Sequence, residues 1–201
     1  MSFDPPSPAK DRRVRRTRAA LLGAAIALVS ERGTANVPVS DIADAAGVSR
    51  QLVYLHYGDR DRLLLEAALD LARRELAEPW QAAPETAVGR ARALAIARHF
   101  AAHRAFYCAM FNSASAFALN REVSGLLSPL RSQAMRPGAL LPGRLGDDLD
   151  AFITGGIGAI VYLWVTEGET PLDAEAMADR LVAVGDLLNT ALEHLPAVSA
   201  D

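Results

Sequence analysis

Apolar residues recur at steps of three and four along most of this chain, the spacing that lines up one face of an α-helix. Leu21, Leu22, Ala25, Leu28 and Val29 form the first such face and predict a helix over 20–32, ended by Gly33. Ile42, Ala43 and Ala46 predict a short helix over 41–46, and Val53 and Tyr57 another over 50–57. Leu63, Leu64, Ala67, Leu71 and Leu76 mark a fourth over 60–77. After a break at 78–84 with two prolines, Ile96 and Phe100 mark a helix over 85–103, and a bulky stretch follows over 104–112. Phe117, Leu119, Val123, Leu126, Leu127 and Leu130 predict a helix over 116–135 that Pro129 would kink or end. Residues 136–146, with two prolines and three glycines, read as a loop. Two long helices follow over 147–166 and 173–194, and their short connection predicts antiparallel neighbours. The expected fold class is all-α, with about nine helices. A disordered tail over 1–10 precedes a three-helix helix-turn-helix domain over 11–58. A larger helical domain occupies 59–201.

The stretch 40–57, SDIADAAGVSRQLVYLHY, is the most informative. Gly47 can close a helix in the left-handed conformation without steric cost. Val48 is apolar inside the turn and should plug the space between the helices. Ser49 can cap the next helix by accepting from backbone N–H groups ahead of it. With Val53 and Tyr57 turned inward, Arg50, Gln51, Leu52, Tyr54 and His56 are left on the outer surface. A major groove admits one such helix. There Arg can bind guanine in a fork, Gln can do the same for adenine, and Leu52 can meet a thymine methyl. Tyr54 and His56 are better placed for phosphates. The plain alternative is a helical hairpin with a polar face.

The flanks extend the pattern. Arg18-x-x-Leu-Leu-x-Ala-Ala25, Gly33, Asp41-Ile-Ala43, Ala46-Gly-Val-Ser49, Tyr54-x-His-Tyr57 and Asp59-Arg-x-x-Leu-Leu64 occur in that order. Over 18–64, about the first third of the chain, it resembles the DNA-binding domain of the TetR family of bacterial transcriptional regulators. The resemblance implies that Arg18, Ser49, Arg50, Gln51, Leu52, Tyr54, His56 and Arg60 contact DNA. Three positions depart from the family pattern. Pro38 stands where Thr is usual, which removes a hydroxyl contact to phosphate, while Tyr57 for Phe and Arg60 for Lys preserve the physical role.

Charge fits this division. The chain carries −3 overall, but residues 1–62 carry +3 and residues 63–201 carry −6. An acidic remainder would point the basic end toward a duplex. The basic run 10–18 is suited to lie along phosphates or enter a minor groove. One cysteine, Cys108, excludes an internal disulfide and fits a reducing cytoplasm. Residues 12–30 mimic an export signal, but Glu31 and Arg32 stand where a small-residue cleavage site belongs. The uncharged stretch 151–166 is shorter than the roughly 20 residues of a membrane span, so no membrane partner is expected.

No catalytic signature, cofactor motif or metal site stands out. His99 and His103 are four apart, a spacing that can bind a metal, but no third ligand is placed by sequence. Cys108 lies among aromatic residues and reads as core filling. The GGIGAI glycines lack a preceding strand and do not fit a nucleotide fingerprint. The resemblance implies instead a small-molecule effector cavity among the middle helices. Its candidate lining is Trp80, Phe100, Phe106, Tyr107, Met110, Phe111 and Phe117, with His99, His103 and Arg104 as polar anchors; the same residues also describe a plain core. It further implies a homodimer through the last two helices. The candidate contacts are Phe152, Gly155, Gly156, Ala159, Ile160 and Leu163 on one, and Met177, Leu181, Val184 and Leu188 on the other. Gly158 adds to the small residues that leave room for close approach. The reading is a ligand-responsive DNA-binding repressor, not an enzyme, released from a near-palindromic operator by an apolar or amphipathic molecule. The alternative is a small-molecule-binding bundle or an enzyme whose helix-turn-helix is only structural.

Overall fold

The computed structural model describes residues 8–78, 80, 89–127 and 144–193. Nine α-helices occur among them, and no strand. They are α1 (Pro8–Arg32), α2 (Val39–Ala45), α3 (Arg50–Tyr57) and α4 (Arg60–Ala72), then α5 (Arg90–Ala102) and α6 (Arg104–Phe111). The last three are α7 (Ala116–Leu127), α8 (Arg144–Glu167) and α9 (Ala174–Glu193). A π turn, Arg73–Ala77, extends α4. The all-α expectation holds, as does the early order of helices.

Several boundaries move. Residues 8–10, assigned to a disordered tail, form the start of α1, which carries the basic run as helix. Residues 144–146, read as loop, open α8. The rest of the tail, the break near Pro79 and Pro84, the segment holding Pro129 and Leu130, and His194 lie outside the described residues.

The N-terminal helices close on one another through fully buried side chains. Ala25, Val29, Val37, Ile42, Ala43, Val53, Leu63 and Ala67 are all 0% exposed. Arg32 of α1 reaches Asp41 of α2 at 2.7 Å, and Arg18 of α1 reaches Glu66 of α4 at 3.3 Å. The buried cluster does not stop at residue 58. It runs on through Phe100, Phe106, Tyr107, Met110 and Leu119 to Val165. Helix α1 packs on α2 and α4, and also on α6.

The last two helices depart from the expected pairing. Helix α9 packs most extensively on α5, not on α8. Met177 and Ala178 are buried, and Arg90 reaches Glu175 at 2.9 Å and Asp179 at 2.7 Å. Arg98 also reaches Glu175, at 2.8 Å. A short connection brings the ends of α8 and α9 together, but α9 lays its buried face on α5.

Candidate nucleic-acid interface and the helical interior

The turn before α3 is built from local chemistry. Gly47 takes φ 66° and Gly58 takes φ 81°, conformations that favour glycine. The Val48 N–H donates to the Ala43 carbonyl at 2.9 Å, and Val48 packs against the core. Ser49 caps α3, its hydroxyl accepting from the Leu52 N–H at 3.2 Å. Val53 anchors the helix from below at 0% exposed, and Tyr57 is half-buried.

That anchoring decides what faces outward. Arg50, Gln51, Tyr54 and His56 are exposed, as expected, whereas Leu52 is only half-exposed. Leu55, absent from the expected set, is the most exposed large apolar residue of α3, at 77%. It follows Gln51 by four positions and shares its face. The signal was present in the spacing, since an inward Val53 and Tyr57 leave Leu55 outside.

A shallow hollow beside α3 is lined by Pro38, Ser40, Arg50, Tyr54, Asp59 and Arg60. It joins α3 to the beginnings of α2 and α4. Asp59 caps α4, accepting from the Arg62 N–H at 2.7 Å. Arg60 donates to Asp61 at 3.0 Å and also to Asn36. Pro38 supplies no side-chain cap to α2. Arg18 is engaged with Glu66, and its charge acts on the Tyr57 hydroxyl; burial nonetheless pushes that hydroxyl up. Arg12, Arg13, Arg15 and Arg16 are exposed along α1.

The interior of the helical domain is a packed aromatic cluster. Phe100, Phe106, Tyr107, Met110 and Phe111 are buried. The Phe100 and Tyr107 ring centroids are 4.5 Å apart, and Phe100 and Phe111 are 6.3 Å apart. Trp80 is half-buried, with the Arg92 guanidinium 5.5 Å from its ring centroid. Phe117, placed with these residues by the resemblance, is 77% exposed and faces away. Arg104 is not positioned as a ligand anchor either. It donates to the Val165 carbonyl at 3.0 Å, the Gly168 carbonyl at 2.6 Å and the Thr170 hydroxyl, clasping the start of the α8–α9 connection. Cys108 is half-buried beside the cluster.

The polar centre of this region is Glu75, which sequence reasoning missed. It sits on the π turn and meets both histidines: His99 Nδ1 at 2.8 Å, and His103 Nε2 at 2.9 and 3.0 Å. His99 Nε2 lies 2.7 Å from the Tyr107 hydroxyl. A carboxylate only accepts, so His99 Nδ1–H donates to Glu75. Burial pushes the His99 pKa below its ordinary value despite Glu75, so the ring is neutral near pH 7 and Nε2 accepts from Tyr107. Burial pulls the Glu75 carboxyl upward, but hydrogen bonds from His99 and His103 outweigh it and hold the carboxyl low. Burial likewise keeps Tyr107 protonated.

The dimerisation set divides. Phe152 is 73% and Leu163 50% exposed, and Gly155, Gly156 and Ala159 lie between them on the same open face. Ile160, Leu181, Val184 and Leu188 are half-buried. Met177 is 1% exposed, covered within its own chain, and so is not an interface residue. Leu187, not anticipated, is 70% exposed. Gly158 admits close approach of Asn120 from α7 rather than of a second chain. Helix α8 has the length and hydropathy to cross a membrane, contrary to the estimate from its uncharged stretch alone. One side of it packs on α5, α6 and α7.

Residues 21–67 match the family described as bacterial regulatory proteins, tetR family. The HTH-type transcriptional regulator BetI of Agrobacterium fabrum is 43% identical over 56 residues. That match spans 28% of this chain and 27% of the relative's length. The fold matches the dihydroxyacetone kinase operon activator DhaS with a TM-score of 0.57 at 16% identity, over 87% of this chain and 97% of that one. It matches the TetR family repressor AlkX of Dietzia sp. with a TM-score of 0.57 at 19% identity, over 86% and 97%. The capped helix-turn-helix thus lies inside a segment that matches the tetR family, and the helical architecture behind it is shared with the solved structures as a fold.

Proposed function

We propose that the protein is a cytoplasmic, ligand-responsive transcriptional regulator that binds DNA as a homodimer. The observation that carries this reading is α3. It is capped by Ser49 and held from below by Val53, with Arg50, Gln51, Tyr54 and Leu55 facing water. Arg50 and Gln51 sit at its start, where a reader helix meets base edges. Leu55 is better exposed than Leu52 for an apolar contact with a thymine methyl. Arg60 and the beginning of α4 border the hollow beside α3 and suit a phosphate.

Two copies would present two reader helices about 34–36 Å apart to successive major grooves of a near-palindromic site. The open apolar face of α8 and the exposed Leu187 on α9 support pairing. A small apolar or amphipathic effector would act from the aromatic interior of α5–α7. These rings are closely packed, so entry of a ligand requires that the helices separate. Such a ligand shifts the protein off DNA only if it binds the two arrangements unequally. Repression follows when the occupied site overlaps a promoter.

The test is a binding assay of the purified protein against its own upstream DNA at several salt concentrations. The expected result is a saturable complex that weakens steeply with salt and favours one sequence over random duplex. A folded sample that binds no duplex at low salt removes this reading and favours a helical small-molecule-binding protein.

A further inference from the structure

We propose that Glu75, His99 and His103 form a site for a divalent transition-metal ion of the zinc class. Their ligand atoms lie within 4.8 Å of one another. Zinc takes imidazole nitrogen and carboxylate oxygen at about 2.0–2.2 Å, which sets neighbouring ligands about 3.3 Å apart. The Glu75 contacts of 2.8 to 3.0 Å therefore need to open by only a few tenths of an ångström.

The donor set is selective. Two imidazoles and one carboxylate suit zinc, nickel or cobalt, whereas magnesium and calcium prefer all-oxygen surroundings. Two histidines with one glutamate also leave a fourth position open. Access exists from one side, because the Glu75 and His103 side chains are 38% and 25% exposed while that of His99 is 1% exposed.

Three features hold the ligands in place. His99 and His103 are one turn apart at the end of α5, so both address the same point. Glu75 comes from a π turn, a distortion frequent at functional sites. The Tyr107 hydroxyl fixes the His99 ring from behind, as outer partners of metal-bound histidines do. Coordination at His99 Nδ1 moves the ring proton to Nε2, which then donates to the Tyr107 oxygen. No net charge is lost from the ring.

An ion here would tie the end of α4 to α5. That tie should change the affinity for DNA, a coupling that rests on the regulator reading above; the metal site itself does not.

The experiment titrates chelator-treated full-length protein with Zn2+ by calorimetry, and with Co2+ by visible absorption. The expected result is one ion per chain and a raised melting temperature. Binding should weaken at least about tenfold in both Glu75→Gln and His103→Ala. The half-exposed position of His103 favours a folded variant, and His103→Gln gives the same readout should the alanine variant fail. Absence of saturable binding up to on the order of 1 mM overturns the proposal, as does undiminished binding in both variants. With the site filled, unchanged DNA affinity would overturn the coupling to DNA and leave the metal site standing. Failure to bind DNA at all would overturn the regulator reading and leave it standing too.

Discussion

Tyr107 shows how much a single atom carries in this interior. Its hydroxyl is the partner of His99 Nε2, and both side chains are buried. Tyr107→Phe keeps the ring and strands that nitrogen, so it should cost about 1–3 kcal/mol, read as a lower denaturation midpoint. A different kind of residue effect belongs to Gln51, which supports nothing inside the fold. Gln51→Ala should leave stability unchanged and relax base preference by about 1–3 kcal/mol at one operator position, measured on a panel of single-base variants. The two positions were not equally legible. Gln51 is set outward by rules acting within eight residues: a glycine turn, a serine cap, an apolar pair. The partnership of Glu75 with His99 and His103 spans a π turn and a second helix, and no local pattern announces it. Leu55 was within reach of periodicity, since both inward residues of α3 were already identified.

Between helices, ties matter more than propensities. Asp41 of α2 is held by the Arg32 guanidinium of α1 and by the Ser40 hydroxyl, which keep its carboxyl below the ordinary value of 3.8. A carboxyl lowered in the folded state contributes stability above that ordinary value and loses it as pH falls through the folded one. The stability gap between the wild-type protein and Asp41→Asn should therefore shrink on acidification below about 3.8, followed by denaturation at a series of pH values. Element existence was readable because apolar residues keep the helical period over whole helices. Element neighbours were not. Periodicity says that Met177 and Phe117 lie on apolar faces, but not what covers each face. Helix α9 packs on α5 and buries Met177, with the Arg90 and Arg98 ion pairs at the exposed rim, while Phe117 is left outside.

At the scale of the molecule, the open strip from Phe152 to Leu163 is the largest commitment. An isologous pair would place each Phe152 against the same small-residue strip of its mate. Phe152→Glu should convert a dimer into a monomer in sedimentation and weaken binding to a two-half-site operator far more than to a single half-site. If the variant sediments as the wild type does, that strip is not the seam. The helical class and the division into a basic N-terminal part and an acidic remainder were both visible in composition and spacing. The way the two are joined was not, because α1 touches α6 through residues some eighty positions apart in the chain. That junction has a thermal consequence. With one unbroken buried cluster from Leu21 to Val165, the N-terminal helices should have no separate melting event of their own. A calorimetric scan should show a single endotherm, and any molecule that tightens the distal bundle should raise the temperature at which α3 lets go.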